Sequence, residues 1–469
     1  MRVPSWLGRA AAAQPDRTAI ETEAGSLTYA ELDDAAAGVD LPAGARVAIA
    51  LPPGLDFAVA LHACLGAGAV AVPVDLRLAE RERAVVCAGA GLVIDAPIRS
   101  GGRHDRPRSR GHDLDAPAVV IHTSGTTGPP RPVVLTYGNL LWSALGSATA
   151  IGLDPAERWL CPLPVAHVGG LSILVRSAIY ATTAVVHARF ETAAVLAALM
   201  DGAITVVSLV PTTLARLLDA GLRDPPSLRC ALIGGAPLPA ALTERALAAG
   251  VPVSQTYGLS EAASQVTTQM PGDGGSDAGP PLFCTRVRIE GGEIQVAGPT
   301  LAPRAAPDPA GETEVAAPAA ASGNAAAGPP GPPGPAADGG GSAAAWLATG
   351  DLGELVDGRL RVTGRRADTI VSGGENIAPT EVEAALADHP SVAEAAVVGV
   401  PDPDWGEAVR ALVVLRPGGP PVGGAELRAH CRERLAAFKV PKEFVFVETL
   451  PRTGSGKLAR RELASERTA

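Results

Sequence analysis

The chain has no uninterrupted run approaching the ~20 apolar residues that a membrane-spanning helix requires. Its most apolar stretch, FAVALHACLGAGAVAVPV from Phe57, is broken by His62, by two glycines and by Pro73, and reads as a buried helix running into a strand. A signal core is lacking as well, because MRVPSWLGRAAAAQ has an arginine on each side of a very short apolar patch. A cytoplasmic protein without membrane insertion is expected. The six cysteines (Cys64, Cys87, Cys161, Cys230, Cys284 and Cys431) contain no C-x-x-C pair. That pattern points away from a zinc site or a disulfide framework and towards small buried apolar residues. Positive charge is in deficit, 39 Lys and Arg against 49 Asp and Glu for a net charge of -10. A nucleic acid or an anionic membrane is therefore excluded as the main partner, and a small ligand is expected.

What is present is an α/β pattern. The 469 residues exceed what one core supports, so at least two domains are expected. Residues 46 to 75 run strand, turn, helix, strand, and similar alternation returns at AITVVSLVP (203 to 211) and RCALIGGAPLP (229 to 239). Parallel strands flanked by helices follow from it. SGGRHDRPRSRGHD (100 to 113) is basic and rich in breakers, hence an exposed, solvated loop. Residues 303 to 345 degenerate into Ala, Pro and Gly, a low-complexity surface insertion. Beyond it, short strands, the segment TEVEAALADHP with Thr380 as N-cap and Glu383 three residues on, a second helix and a last strand in KEFVFVETLP predict a small α+β domain.

One loop concentrates hydroxyls and glycines at a strand end. IHTSGTTGPPRPVVLT (121 to 136) leaves backbone N–H groups and Ser/Thr donors free to surround phosphate oxygens. It is not a Walker A loop, since Pro130 stands where the second glycine belongs and no Gly-Lys pair follows. A Gly/Thr-rich turn without a ligand is the bland alternative, so the loop needs company.

The company is an ordered series: TSGTTGPPRPV, GGAPLP, QTYGLSEAAS, LATGDLGEL, TGRRADTIVSGGENIAPTEVE and RTGSGK. In that order the motifs resemble the acyl-adenylate-forming enzymes over nearly the whole chain. The resemblance implies a large N-terminal domain of αβαβα-type subdomains with parallel sheets (1–366) and a small mobile C-terminal α+β domain (367–469). It also implies ATP, Mg²⁺ and coenzyme A as co-substrate. Thr123, Ser124, Gly125, Thr126, Thr127, Gly128 and Arg131 would form the phosphate loop. Gly235, Ala236, Pro237, Tyr257, Gly258 and Ser260 would line the adenine and α-phosphate. Glu261 would hold Mg²⁺, as a hard carboxylate suits it. Asp351 and Arg365 would take the ribose hydroxyls, and Lys457 would neutralise charge during adenylation. Gly373 and Gly374 would reach the CoA channel, and Ala367 would be the hinge.

WLCPLPVAHVGGLSILVRSAIY, QTYGLSEAASQVTT and SDAGPPLF resemble most the branch of that family that serves menaquinone biosynthesis. Its substrate is a dicarboxylate, of which one carboxylate is activated while the other is held. His167 would stand at the mouth of the acyl pocket, and Arg176 and Ser264 are candidates for gripping the spare carboxylate. Arg176 could equally be a salt-bridged helix residue. Arg131 departs from the family's usual lysine, keeping charge but not shape. Another aryl or short-chain acyl-CoA ligase, or a non-catalytic nucleotide-binding relative, remains open at this point; a homodimer is compatible with the sequence.

Overall fold

The computed structural model describes residues 1–98, 111–123, 131–303, 345–372, 375–402, 405–452, 458–460 and 463. Two mainly parallel sheets form its larger part. The first runs Leu92–Ile94, Arg46–Ile49, Val70–Pro73, Pro117–Thr123 and Arg131–Thr136, parallel except for the last pairing. The second places Ser264–Thr268, Val253–Leu259, Cys230–Ile233, Val206–Leu209, Arg158–Cys161, Thr183–Val186, Thr18–Thr22 and Gly25–Thr28 side by side, with antiparallel pairing only at its two ends. The central strands read as continuous apolar runs because both faces are covered; Cys230–Ile233 and Val206–Leu209 are buried at every position.

Helix Leu55–Ala67 explains how the two sheets share a core. It is apolar on all sides and nine of its residues are buried, Phe57 to Leu65 without a gap, as befits a helix with no solvent face. Its side chains join Ile49 and Ile121 of the first sheet to Trp159 and Ala184 of the second in one cluster. Gly68 closes it in the left-handed conformation at φ 74°. Five of the six cysteines are buried and all are free, as their spacing predicts.

A four-stranded antiparallel sheet, Arg286–Glu290, Glu293–Ala297, Leu347–Val356 and Arg359–Arg365, follows. The last sheet orders Glu375–Ile377, Ile370–Ser372, Gly406–Leu415 and Val392–Asp402, with Glu443–Phe446 parallel to Gly406–Leu415. Helices Pro379–Ala387 and Gly424–Arg432 complete it around a separate core that includes Ile377, Val382, Val397 and Leu427. This is the separate α+β domain read from the sequence.

Two local expectations are corrected. Helix Pro379–Ala387 begins one residue before Thr380, because proline at its first position needs no N–H partner and fits the helical φ. Thr380 therefore donates to the Thr363 carbonyl, and Glu383 accepts from Val397 N at 2.8 Å rather than closing a capping box. Within the basic stretch 100 to 113, residues 100–110 lie outside the described residues, yet its end is not a solvated loop. His112 is buried, pairs with Val3, accepts a hydrogen bond from Trp6 N at 3.1 Å and stacks on Tyr137. Of the expected insertion, residues 304–344 lie outside the described residues.

Candidate active site

In parallel sheets the carboxyl ends of the strands all face one way, and ligands bind in the crevice outside them. From those ends issue Asp75 after Val70–Pro73, Thr123 closing Pro117–Thr123, His167 after Arg158–Cys161, Gly235 after Cys230–Ile233 and Glu261 after Val253–Leu259. The ends of the two sheets meet, since His167 Nε2 lies 3.4 Å from Asp75 Oδ2.

Gly235 adopts φ 82°, a left-handed conformation that suits glycine, and Ala236 and Pro237 beside it are exposed. Thr123 pairs directly with Arg131 across the hairpin and its hydroxyl donates to the Arg131 carbonyl at 3.3 Å. Arg131 is exposed. The expected Ser124, Gly125, Thr126, Thr127 and Gly128 fall outside the described residues, as do Gly373, Gly374 and Lys457.

The hairpin that carries Tyr257 to Ser264 is tightly constrained. A Cβ at Gly258 would sit 1.9 Å from the Ser264 carbonyl oxygen, so only glycine fits. Ser260–Ala262 forms one short 3₁₀ turn, and two non-glycine residues after it take positive φ, Ala263 at 53° and Ser264 at 117°. Such conformations cost of order 1–3 kcal/mol each and persist where surrounding contacts impose them. Here Ser143 Oγ donates to the Ala263 carbonyl at 2.7 Å and Ala302 N to the Glu261 carbonyl at 2.7 Å. Glu261 is half-buried, and its carboxylate has no hydrogen-bond or ion-pair partner among the described residues. Those residues contain no group of three His, Cys, Asp or Glu able to hold a metal alone. One free carboxylate does suit Mg²⁺, which keeps most of its shell for water and phosphate oxygens.

Three motifs converge on Asp351, which is 7% exposed. Tyr257 Oη donates to its Oδ2 at 2.8 Å and Arg365 Nε to its Oδ1 at 2.8 Å. Asp351 and Arg365 are direct cross-strand partners, which explains their pairing. Burial, then the adjacent Asp351 charge, pushes the Tyr257 phenol far above its ordinary value, so it remains a neutral donor. Gly350 N is held by Glu293 at 2.8 Å, and Glu293 also pairs with Arg366 at 3.2 Å. Ala367 lies exposed in the 3₁₀ turn Arg366–Asp368.

His167 caps helix Val168–Tyr180 by position only, without a side-chain cap bond. Its ring instead faces Asp75 and Arg77. Arg176, on the same helix, is 2% exposed. It donates to Ser143 Oγ at 3.0 Å and stands 5.7 Å over the Trp159 ring. Among the described residues no carboxylate pairs with it, its Nε has no hydrogen-bond partner there, and burial pulls its pKa down. Ser264 is half-buried two residues beyond Ala262 in the turn that Ser143 braces. Sequence reasoning missed Asp75, Arg77 and Ser143; the D-x-R spacing in VDLRL, directly after a buried strand, was the available signal for the first two.

Parallel-strand ends around a buried Asp351, with which the exposed Arg365 pairs, suit a nucleotide-using enzyme, and the chain belongs to the AMP-binding enzyme family. That family matches residues 7–94 and 93–305, and the AMP-binding enzyme C-terminal domain matches residues 381–457. The chain is 38% identical over 495 positions to 2-succinylbenzoate–CoA ligase of Bacillus licheniformis, covering 98% of this chain and 99% of that one. It is 36% identical over 505 positions to the enzyme of the same name from Bacillus subtilis, with 99% and 98% covered. Among solved structures it resembles o-succinylbenzoate CoA synthetase from Bacillus subtilis in complex with the acyl-adenylate intermediate OSB-AMP, with TM-score 0.84, 34% identity and 100% and 99% of the chains covered. The same Bacillus subtilis enzyme with ATP and magnesium gives TM-score 0.83 at 34% identity, covering 99% of this chain and 100% of that one.

Proposed function

We propose that this chain joins 2-succinylbenzoate to coenzyme A at the expense of ATP, acting in the cytoplasm in menaquinone biosynthesis. Full-length relatives that carry this activity in their names support the reading. Arg176 is the observation in the structure that carries it, a buried cation whose only polar contact among the described residues is a hydroxyl. A monocarboxylate would leave that charge uncompensated. The second carboxylate of a diacid compensates it.

The reaction has two halves. In the first, the succinyl carboxylate oxygen attacks the α-phosphorus of ATP, the bond to the β-phosphate oxygen breaks, and pyrophosphate leaves an acyl-adenylate. In the second, the CoA sulfur attacks the acyl carbon and AMP leaves. Asp351 accepts from the ribose hydroxyls while Tyr257 and Arg365 fix its two oxygens. Ser260 and the glycine loop (Thr123 to Gly128, with Arg131) donate to phosphate, Gly235 to Pro237 and Gly258 line the base, and Lys457 offsets charge growing on the phosphate oxygens. Mg²⁺, when bound, neutralises phosphate charge, and Glu261 would hold it. Ser264 joins Arg176 on the spare carboxylate. Residues 367–469 would turn about Ala367 between the halves and bring Gly373 and Gly374 to the CoA channel.

The test is pyrophosphate release with ATP and Mg²⁺ against 2-succinylbenzoate, benzoate, acetate and octanoate, with Lys457→Ala as control. Release confined to 2-succinylbenzoate, then thioester on adding CoA, is expected. Release with a different acid instead refutes the substrate, and silence with all four refutes the activity as stated.

A further inference from the structure

His167 does not stand alone at the crevice. Asp75 leaves the buried strand Val70–Pro73 and turns sharply, its Oδ1 accepting from Arg77 N at 3.0 Å. The Arg77 side chain returns on the same carboxylate in a fork, Nε to Oδ1 at 2.8 Å and Nη2 to Oδ2 at 2.6 Å. Bidentate geometry fixes orientation as well as charge. Burial alone would raise Asp75, but hydrogen bonds, those from Arg77 foremost, outweigh it and hold the carboxyl well below the usual carboxylate range. The carboxylate therefore stays ionised.

A single ring nitrogen meets both members of that pair. His167 Nε2 lies 3.1 Å from Arg77 Nη2, which can only donate, and 3.4 Å from Asp75 Oδ2, which can only accept. In the neutral ring the shorter contact requires a bare Nε2 and puts the proton on Nδ1. A protonated ring turns instead to Asp75. In either state the Nε2 edge is tied down, and a ring flip must break a contact to a charged group.

We propose that Asp75 and Arg77 are positioning residues that set the orientation and the proton placement of His167, so that the ring presents its Nδ1 edge to the acyl group. This rests on the proposed reading of His167 at the mouth of the acyl pocket and adds two residues from the other sheet to it. The arrangement spans the two sheets, 90 residues apart in sequence for Arg77 and His167. The ring thereby takes its position from the sheet that also carries the phosphate loop.

A double-mutant cycle tests this in the full chain, with whichever carboxylate the wild-type enzyme activates. His167→Ala, Asp75→Asn and the double variant are compared by pyrophosphate release, and Arg77→Gln serves as a second probe because its side chain is 45% exposed and the fold does not depend on burying it. Asp75→Asn should lower kcat on the order of tenfold to a hundredfold, the usual effect of a misplaced reacting group, with the KM for ATP changed less than about twofold. The double variant should be no slower than His167→Ala, since residues acting through one group are not additive. Additive losses, or a rise in the KM for ATP matching the loss in kcat, would mean that Asp75 merely supports the fold and would overturn the proposal. Wild-type kinetics in Arg77→Gln would overturn it too. Failure of the functional reading shows up separately, as a wild-type enzyme inactive with 2-succinylbenzoate.

Discussion

Replacing Arg176 with methionine separates two roles that one side chain could have. The guanidinium is 2% exposed, so a carboxylate brought to it meets a charge already stripped of water. At about 4 Å and an effective dielectric constant near 20, that attraction is about 4 kcal/mol. Desolvating the incoming carboxylate offsets part of it, leaving about 2–3 kcal/mol, or roughly 30- to 150-fold. Arg176→Met should lower kcat/KM for a diacid by that factor and leave any residual turnover of a monocarboxylate unchanged. Stability should respond differently. Removing an uncompensated buried cation is favourable, whereas losing the Trp159 contact and the Ser143 hydrogen bond costs about 2 and 1 kcal/mol, so the net change should stay within about 1 kcal/mol. Steady-state pyrophosphate release with paired mono- and dicarboxylates, alongside a thermal melt, reads both quantities. Equal losses for both acids together with a clearly lowered melting midpoint would refute the reasoning and leave Arg176 as a brace for the Ser143–Ala263 contact.

Gly258→Ala would place a Cβ 1.9 Å from the Ser264 oxygen; the hairpin must shift, and ATP binding measured by calorimetry should be lost even if the chain stays folded. Tyr257→Phe removes one of the two side-chain donors to Asp351, which should raise the KM for ATP roughly 10- to 150-fold, one charge-assisted hydrogen bond being worth about 1.5–3 kcal/mol, with the KM for the carboxylate as internal control. His62 and His112 are held neutral, burial pushing each down to about 4 and His112 adding to the effect at His62. The unfolded chain takes up these protons near pH 6.5, so this stability is complete above that pH, declines as pH falls towards 4 and is level below. The slope is up to about 1.4 kcal/mol per pH unit for each ring. Chemical denaturation in steps between about pH 7.5 and 4.5 should show it, and a flat midpoint would contradict it.

Strands buried on both faces announce themselves as apolar runs, which is why Val70–Pro73, Val206–Leu209 and Cys230–Ile233 were legible, and why the parallel sheets followed from them. The motif series assigns Asp351 and Arg365 to the ribose of one ligand and Tyr257 to its adenine, without showing that the three side chains touch. What escaped were meetings with no local signature. Tyr257 and Asp351 are 94 residues apart, and Arg176 finds Ser143 across 33 residues of chain. Asp75 starts a turn with Arg77, but its second use, at His167, depends on a residue that follows a strand of the other sheet. The lone histidine His112 shows the converse: it sat in a stretch read as solvated from its basic composition, and the first strand of the chain, Arg2–Val3, covers it.

Local rules of stability break together at one place in this molecule. Positive φ at Ala263 and Ser264, a glycine without room for a methyl at 258, and a buried cation with no anion among the described residues all lie along one path from Arg176 through Ser143 to the turn that holds Glu261. None of these features is what stability alone would favour, and the buried cation could be relieved by an apolar side chain of similar volume. Their coincidence is what physical reasoning expects of a binding site, where pre-organisation is maintained against a cost in stability. The same path joins Arg176 to the turn that carries Ser260 and Glu261 by two hydrogen bonds. A carboxylate held at Arg176 therefore bears on the brace of the turn that carries Ser260 and Glu261, and Ser143→Ala, which cuts that path without removing either end, should slow adenylation while leaving the preference for a diacid intact.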